Sequence, residues 1–447
     1  MTPPQLAPRS PAAGTAPVAP RRPFLRRPPV HLAAAWCASR LLQVALVAGV
    51  FGTVGEEING EVHRIYFTWY EQLVTGAFPL GDVMWQYPPG AALVILSPAL
   101  LPGLSYFQAF VALTLLVDAG VTWALARAAR GTEACGTNTD TSTSTSTSTS
   151  TTRTRAGAWV WIGGLPLLLH VPLVRYDVQV TALAVLSLLS LLAARHHPRA
   201  AVRGGALAAA GALVKVWPAL ALLGTPRGRT TRAAWGSAVA TAAVLLGVLA
   251  LAFSHTFDFL RQQGNRGVQI ESLGGTLLSL ARLAELPSSD AYRVEYRYGA
   301  MEFVGPYVSS VAHASLLLTA AAFCWLLIWR VRARSWNTAT VCDAALCAVL
   351  LFVVTSRVIS PQYMIWLIGL AAVCASVRAT CQRPVIVMVL AAAAVSTLAY
   401  PLAYGQVTAG TPYGCLLMLV RNGLLLAAAV LSCRRLRASS VTPSVTR

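Results

Sequence analysis

The chain has 447 residues, of which 56% are hydrophobic and only 11% are charged, and its mean hydropathy is +0.60. Its apolar runs repeatedly reach the roughly 20 residues that span a bilayer, whereas a soluble chain carries roughly a quarter charged residues. The composition excludes a soluble globular protein and predicts an all-α, polytopic membrane protein with about 10–12 transmembrane helices.

The formal net charge of +19 would by itself suit a protein that binds nucleic acid. However, the arginines cluster in short segments between the apolar runs, as the positive-inside rule expects of cytoplasmic loops. We therefore predict no nucleic-acid partner and a multi-pass protein of the cell membrane with both termini in the cytoplasm. The predicted tails, residues 1–30 and 434–447, flank a transmembrane domain at 31–433, and the first tail is expected to be disordered and basic.

The first predicted helix, residues 31–52, lacks a persuasive cleavage site and follows a basic cluster, so it is expected to remain uncleaved and to exit outward. Residues 53–88 then form an outer loop. Within it, apolar and aromatic side chains recur at helical spacing, which predicts an amphipathic helix that lies on the membrane with Glu61 near its start. These side chains are Ile65, Tyr66, Trp69, Leu73 and Val74.

Residues 89–102 are too short for a full crossing and predict a segment that dips into the bilayer, before a full helix at 104–126.

Residues 131–155 consist largely of alternating Thr and Ser, which cannot bury apolar area, so we expect a disordered cytoplasmic loop. Helices at 157–174 and 178–194 are then expected to form a hairpin.

Residues 204–224 carry basic residues on both flanks. Because both flanks then belong in the cytoplasm, this segment predicts two short helical arms that meet near Lys215 and Pro218. A helix at 234–253 leads to a second long outer loop, residues 254–306. Further helices are predicted at 307–329, 339–356, 361–377, 384–402 and 414–432.

Arginines in the predicted outer segments run against the positive-inside rule. They are Arg64, Arg175, Arg261, Arg266, Arg282, Arg293, Arg297 and Arg357. One interpretation is that some of them bind an anionic lipid head group, because a guanidinium holds phosphate through two parallel hydrogen bonds. The other is that they form structural salt bridges with five acidic residues of the second outer loop, namely Glu271, Glu285, Asp290, Glu295 and Glu302.

Glu61 is a candidate general base, because a carboxylate beside the membrane surface can accept a proton from a sugar hydroxyl or another hydroxyl group. Glu56 and Glu57 are rivals for this role. Each of the three is equally open to interpretation as a solvated loop carboxylate.

Lys215 lies within an apolar piece, where an ionisable group is costly, so it is either functional or snorkels to an interface. Arg175 and Asp177 either pair with each other, or Asp177 caps the following helix. Tyr87 precedes two prolines and is therefore expected to be extended.

Two polar stretches stand out, one in the first half of the second outer loop and one between two later helices. Residues 266–272 are flanked by glycine and either fold back over a cavity or form an ordinary surface loop. Residues 356–363 form a polar turn, in which Pro361 suits the first turn of the next helix.

The nine cysteines are scattered, and several lie inside apolar runs. They lack the paired, closely spaced doublets that are typical of zinc or iron–sulfur sites. We interpret them as small core hydrophobes and predict neither a metal nor a cofactor.

Taken in order, these features resemble glycosyltransferase family 87, which belongs to the GT-C superfamily of polytopic enzymes that use lipid-phosphate sugars. The features, spread over most of residues 30–430, are Glu61-Val62, Tyr66, Trp69, Gly76, Pro79, Asp82, Tyr87-Pro88-Pro89, Arg175-Tyr176-Asp177, Lys215-Val216-Trp217-Pro218, the stretch 266–272, and Ser360-Pro361-Gln362-Tyr363. The resemblance implies a GT-C-type fold with a long first outer loop and an outward-facing site. It also implies a polyprenyl-phosphate sugar, typically of mannose, as the donor.

The resemblance assigns catalysis to Glu61, at a position where the family usually has aspartate. It implies that the substrates are bound by Tyr66, Trp69, Tyr87, Arg175, Asp177, Lys215, Arg266, Gln269, Glu271, Arg357 and Gln362. The hypothesis is a single displacement with inversion, in which Glu61 takes the acceptor proton and cationic side chains stabilise the leaving phosphate, so that no metal ion is demanded. Those side chains would be Arg266, Arg357 or Lys215.

The expected partners are the polyprenyl-phosphate sugar, a lipid or glycan acceptor of the cell envelope, and membrane lipids. One alternative is a transporter of lipids or small solutes, although the two halves of the chain show no inverted repeat. Another alternative is a structural partner of a cell-envelope enzyme.

Overall fold

The protein is helical throughout, apart from one small sheet. The computed structural model describes residues 30–52, 56–130, 153–195, 197–262, 266–286 and 291–441. Residues 1–29, almost the whole predicted basic tail, lie outside the described residues, as do residues 131–152 of the Thr/Ser loop. Within the described part, six helices are long and apolar enough to cross a membrane: Val30–Val47, Tyr106–Ala129, Arg229–Ala252, Val308–Arg332, Arg383–Leu402 and Pro412–Ser440.

In chain order, the α-helices are α1 (Val30–Val47), α2 (Glu56–Gly60), α3 (Phe67–Leu73), α4 (Ala91–Leu96), α5 (Tyr106–Arg130), α6 (Ala156–Gly164), α7 (Asp177–Ala193), α8 (Arg199–Val214), α9 (Arg229–Ala252), α10 (Phe259–Gln262), α11 (Leu273–Leu283), α12 (Val308–Arg332), α13 (Thr340–Thr355), α14 (Tyr363–Ala375), α15 (Arg383–Thr397), α16 (Tyr404–Ala409) and α17 (Pro412–Ser440). Short π-helical segments, Glu61–Tyr66 and Leu398–Leu402, extend α2 and α15. Among the described residues, 3₁₀ segments are found at Ser97–Leu100, Leu165–Leu168, Val171–Leu173 and Trp217–Gly224.

Helices α13 and α14 form the centre of the bundle. Every residue from Met364 to Cys374 of α14 is buried, and so is every residue from Thr340 to Leu350 of α13. Both helices are apolar all round, and a helix of that kind is stable only when other helices surround it. Helix α14 packs against α6, α7, α13 and α15.

Helices α1, α9 and α12 lie on the outside and expose large apolar side chains. Leu251 of α9 and Val331 of α12 are 91% and 73% exposed. A soluble monomer rarely exposes contiguous apolar surface of this kind, so these helices are suited to contact lipid. The fold is therefore that of an all-α, polytopic membrane protein, as the composition predicts.

A buried ion pair joins three of the helices. Arg40 of α1 holds the Asp118 carboxylate of α5 through two hydrogen bonds, Nε to Oδ2 at 2.8 Å and Nη2 to Oδ1 at 2.9 Å. The indole N–H groups of Trp36 and Trp161 donate to the same carboxylate, at 2.6 and 2.7 Å. Both carboxylate oxygens therefore have hydrogen-bond partners, which offset the cost of burying the Asp118 charge. The same contacts hold α1 and α6 against α5.

The two ends of the bundle differ in chemistry. At one end, here called the site end, α7 begins, α8 ends and α14 begins, and Asp177 contacts both Lys215 and Trp366. At the opposite, arginine-rich end, Arg195 donates to the Trp336 carbonyl at 2.9 Å, and Arg435 donates to the Cys381 carbonyl at 3.2 Å.

The second outer loop has more structure than its sequence predicts. Strands β1 (Val268–Gln269), β2 (Arg293–Arg297) and β3 (Ala300–Val304) form an antiparallel sheet in the order β1-β3-β2. The tight turn between β2 and β3 places Tyr298 and Gly299 at φ values of 51° and 74°, a region that favours glycine. Ser272 caps the start of α11, because its Oγ accepts a hydrogen bond from the Gly275 N–H.

In the first outer loop, a helix forms as predicted, but it begins at Glu56, and Glu61 lies one turn inside it. Its aromatic face packs into the protein: Tyr66 and Trp69 are buried, whereas Val74 is exposed. The expectation that this face lies on the membrane is therefore wrong, because neighbouring aromatic rings cover it.

Two apolar segments, residues 89–102 and 204–224, contain short helical pieces, as the sequence predicts. Residues 89–102 form only α4 and a 3₁₀ turn. The predicted break near Lys215 is confirmed: α8 ends at Val214, Lys215 is extended with φ −146° and ψ 135°, and the 3₁₀ segment begins at Trp217.

Candidate active site

Glu61 and Arg175 form an ion pair at the site end. Glu61 Oε2 lies 3.0 Å from Arg175 Nη2, and the Glu61 side chain remains 21% exposed. Arg175 is buried and also donates from Nη1 to the Ile58 and Val174 carbonyls, both at 3.0 Å. The guanidinium therefore holds the Glu61 carboxylate in place while leaving it partly exposed at the protein surface.

Asp177 and Lys215 form a second ion pair. Lys215 Nζ lies 2.7 Å from Asp177 Oδ1, and the Trp366 indole donates to the same oxygen at 2.5 Å. Asp177 Oδ2 is buried, and it has no hydrogen-bond partner among the described residues. The idea that Asp177 pairs with Arg175 or caps α7 is wrong, because its carboxylate is held by Lys215 across the end of α8. Lys215 does not snorkel to an interface either, since it is only 9% exposed and is paired with Asp177.

The Lys215 ammonium is surrounded by aromatic rings. It lies 4.5 Å from the ring centre of Tyr176, 5.4 Å from that of Trp366 and 5.6 Å from that of Tyr87. Rings at these distances attract a cation through their negative faces. Tyr363 stacks on Trp366 with centres 3.9 Å apart. The rings of Tyr87, Tyr176 and Trp366, here called the aromatic cage, hold in place a cation that would otherwise be costly to bury.

The predicted aromatic residues form a continuous layer behind this cage. Tyr66 and Tyr87 both contact Tyr176, with ring centres 5.5 and 5.3 Å apart, and Trp69 contacts Tyr87 at 5.7 Å. The Trp69 indole donates to Asp82 Oδ2 at 2.7 Å. Tyr66 and Trp69 are 1% and 2% exposed, so they support Tyr87 and Tyr176 from the protein interior.

Arg266 and Arg357 lie on a cavity of about 350 Å³ at the same end of the bundle. Arg266 Nε is 3.4 Å from Glu302 Oε1, and its Nη2 donates to the Tyr298 carbonyl at 3.1 Å. Burial, and then the neighbouring Arg266 guanidinium, lower the pKa of Arg357, whereas Glu302 opposes them. Arg297 and His313 line the cavity as well. Guanidinium groups that repel one another in a partly buried cavity favour an anion between them.

Gln269 and Glu271 occupy a tightly held turn after β1. Gln269 Nε2 donates to Glu271 Oε2 at 3.0 Å and to Ser360 Oγ at 3.4 Å, so it links the two predicted polar stretches. The Gln269 N–H also donates to the Arg357 carbonyl at 3.0 Å. Burial raises the pKa of the Glu271 carboxyl to about 7, although the nearby Arg421 guanidinium lowers it.

Two residues of α17 anchor this turn, and sequence reasoning missed both. Arg421 Nη2 donates to the Glu271 carbonyl at 2.8 Å and lies 3.7 Å from Glu271 Oε1. Asn422 Nδ2 donates to the carbonyls of Glu271 and Ser272 at 3.1 and 3.3 Å, and to Thr276 Oγ1 at 2.7 Å. An Arg-Asn pair inside an apolar run was the available signal, because such residues are costly in a membrane helix.

Gln362 is the least defined of the predicted site residues. It directly precedes α14, is partly buried, and its carbonyl accepts a hydrogen bond from the Ile365 N–H. Its neighbour Trp366 has the stronger contacts with the site. Nothing in the sequence separated Trp366 from an ordinary core tryptophan.

Several of these groups influence the pKa of Tyr87. Burial raises this pKa, the carboxylates of Glu61 and Asp177 raise it further, and Arg266 lowers it. The hairpin residue Tyr296 likewise has its pKa raised by burial and by Glu61, and lowered by Arg175. The predicted base and the predicted phosphate-binding arginine therefore both influence the Tyr87 phenol.

Together, these features define a polytopic helical membrane protein with a polar, cation-lined site in the loops at one end of its bundle. The family model described as glycosyltransferase family 87 matches residues 85–361, more than half of the chain. The chain belongs to this family and is a membrane glycosyltransferase. No curated protein and no solved structure matches it. Glu61 precedes the matched segment and Gln362 follows it, so their roles rest on the geometry of this chain.

Proposed function

We propose that the protein transfers a hexosyl group, most simply mannosyl, from a polyprenyl-phosphate sugar to a lipid or glycan acceptor of the cell envelope. The reaction would take place on the outer face of the cell membrane, where the site end would lie if the arginine-rich end faces the cytoplasm. The observation that carries the proposal is that the Glu61–Arg175 pair and the cavity lined by Arg266 and Arg357 lie at the same end of the bundle.

In this proposal, Glu61 removes the proton of the acceptor hydroxyl as that oxygen attacks the anomeric carbon. The bond from that carbon to the phosphate breaks in the same step, so the configuration inverts. Arg175 orients the Glu61 carboxylate through the 3.0 Å ion pair. The longer side chain of Glu, where the family usually has Asp, is held at a fixed reach by this pair.

The leaving polyprenyl phosphate gains negative charge, and Arg266 and Arg357 are placed to stabilise it at the cavity they share. Lys215 was a third candidate for this role. Its pairing with Asp177 at 2.7 Å makes it a better candidate for organising the aromatic cage, on which a sugar face can stack. Membrane lipids would surround the donor chain throughout.

The test is a transfer assay in proteoliposomes that contain only this protein, a radiolabelled polyprenyl-phosphate mannose and an envelope lipid extract. We expect labelled product from the unaltered protein and a fall in turnover of roughly 10²–10⁴-fold for Glu61→Gln. The matched control is Glu71→Gln, because Glu71 is an exposed carboxylate of α3, in the same loop as Glu61, and has no part in the proposed site. Unchanged turnover in Glu61→Gln would remove Glu61 from the role of base.

The same vesicles distinguish the alternatives. Label that crosses the membrane without joining an acceptor would favour a transporter. An absence of both transfer and transport with several polyprenyl-phosphate sugars would favour a structural partner of another enzyme.

A further inference from the structure

Four potential metal ligands meet at the arginine-rich end, away from the transferase site. Cys342 and Asp343 lie in the first turn of α13, Cys374 in the last turn of α14, and Cys381 in the loop before α15. Cys374 follows Trp366 by eight residues of α14, a rise of about 12 Å. The group is therefore separate from the site that contains Trp366.

The ligand atoms are close to coordination distance. One atom from each of Cys342, Asp343 and Cys374 lies within 4.8 Å of the other two. Cys381 Sγ lies 3.2 Å from Asp343 Oδ2, and Cys342 Sγ lies 4.0 Å from Asp343 Oδ1. Tetrahedral zinc with Zn–S bonds of about 2.3 Å holds its sulfur ligands about 3.8 Å apart. A contraction of about 1 Å or less would thus bring Cys342, Asp343 and Cys374 to this spacing, and Cys381 is the fourth ligand within reach through its contact with Asp343.

The Asp343 carboxylate provides an independent reason to expect a cation. It is 1% exposed, and its partners are the Thr380 hydroxyl at 2.6 Å, the Cys381 N–H at 3.1 Å and the neighbouring thiols. In the part of the chain that the structure describes, no Lys or Arg side chain forms a salt bridge with it. Because a buried carboxylate without a cation is costly, a bound metal ion would remove that cost.

We propose that Cys342, Asp343, Cys374 and Cys381 form a structural zinc site. Thiolates prefer a soft or borderline metal, and four protein ligands leave no open position for substrate, so the site would be structural. Each thiol loses its proton to solvent as its sulfur binds the metal.

The surroundings suit thiolate ligands. The Gln382 side-chain amide donates to Cys381 Sγ at 3.4 Å, and the Ser439 hydroxyl of α17 lies 3.8 Å from the same sulfur. Cys381 is only partly buried, which gives a metal ion an entry path. The site would fasten α13, α14 and the start of α15 to one another.

The test measures zinc in the full-length protein, purified in detergent under reducing conditions. We expect about one zinc per chain, and thiolate-to-metal charge-transfer absorption when cobalt replaces zinc. Cys381→Ser and Asp343→Asn should each weaken metal binding by at least about 10-fold. Cys415→Ser is the matched control, since Cys415 is buried but lies at the site end in α17, and it should bind the metal normally.

Two results would overturn the proposal. The first is a failure of the metal assay in folded protein. Either the protein contains no zinc and gives no charge-transfer band with added cobalt, or it keeps its zinc in both ligand variants. The latter result would mark the zinc as adventitious. The second is a disulfide between two of the three thiols in the protein as isolated. Because these readouts do not involve sugar transfer, they are independent of the proposed transferase reaction.

Discussion

Replacing Lys215 with Met would leave the Asp177 carboxylate in the protein interior without its cation. Both side chains are almost fully buried, and their charged atoms are 2.7 Å apart. After the replacement, Asp177 Oδ1 would keep only the Trp366 indole, and Oδ2 already has no partner among the described residues. Removing one member of a buried pair costs about 3–5 kcal/mol, because the other charge remains desolvated. We therefore expect Lys215→Met to lower the free energy of unfolding by about this amount.

The assay is a double-mutant cycle of reversible unfolding in mixed micelles, with Asp177→Asn as the second change. The double variant Asp177→Asn/Lys215→Met has no buried charge at this position, so it should recover most of the loss, with a coupling energy of about 2 kcal/mol or more. Additive effects of the two single changes would refute the idea that the pair acts as a unit. Sugar transfer by the double variant then separates stability from function: if the pair only organises the cage, turnover should fall much less than in Glu61→Gln.

Three further predictions follow from other groups. Asp118→Asn should lower the free energy of unfolding by about 3–5 kcal/mol, because Arg40 would remain buried and unpaired, and chemical unfolding measures this directly. Arg266→Ala should raise the KM for the donor about 10- to 100-fold, because a charged hydrogen bond to phosphate contributes about 1.5–3 kcal/mol, and an unchanged KM would exclude the arginine from donor binding. The Glu271 pKa of about 7 lies above its usual 4.5, so its contribution to stability is present at low pH and is lost as the pH rises from about 4.5 to 7. Thermal midpoints measured across that interval should show this decline, and Glu271→Gln should reduce it.

Hydropathy and charge were sufficient to predict most of the long helices, because both signals are local. The predicted helix at 157–174 is an exception: α6 ends at Gly164, and two 3₁₀ segments that contain Pro166 and Pro172 follow it. The break at Lys215 was predictable for the same reason: arginines on both flanks are incompatible with a single crossing. The short strands β1 to β3 were not, since a polar outer loop carries no clear alternation. The buried side of the first outer-loop helix was assigned to lipid, because an aromatic face has the same sequence pattern whether protein or membrane covers it.

The sequence indicated which segments contribute to the candidate site, but not which of their side chains contact one another. Asp177 and Lys215 are 38 residues apart, and Asp177 and Trp366 are 189 apart. No local pattern indicates that these three side chains meet. The same limit explains why Asp118 passed as part of an ordinary apolar helix. It also explains why the cysteines, which were judged by their spacing along the chain, predicted no metal site.

The central helix is also short for a membrane protein. With 13 residues, α14 rises only about 20 Å, whereas the 25 residues of the peripheral helix α12 rise about 37 Å and a bilayer core is about 30 Å thick. The centre of the bundle therefore contains a helix that is shorter than both a peripheral helix and the hydrocarbon core. Under the proposed function, such a short centre would let a sugar on a membrane-embedded carrier reach the loops at the site end without lifting the carrier out of the hydrocarbon.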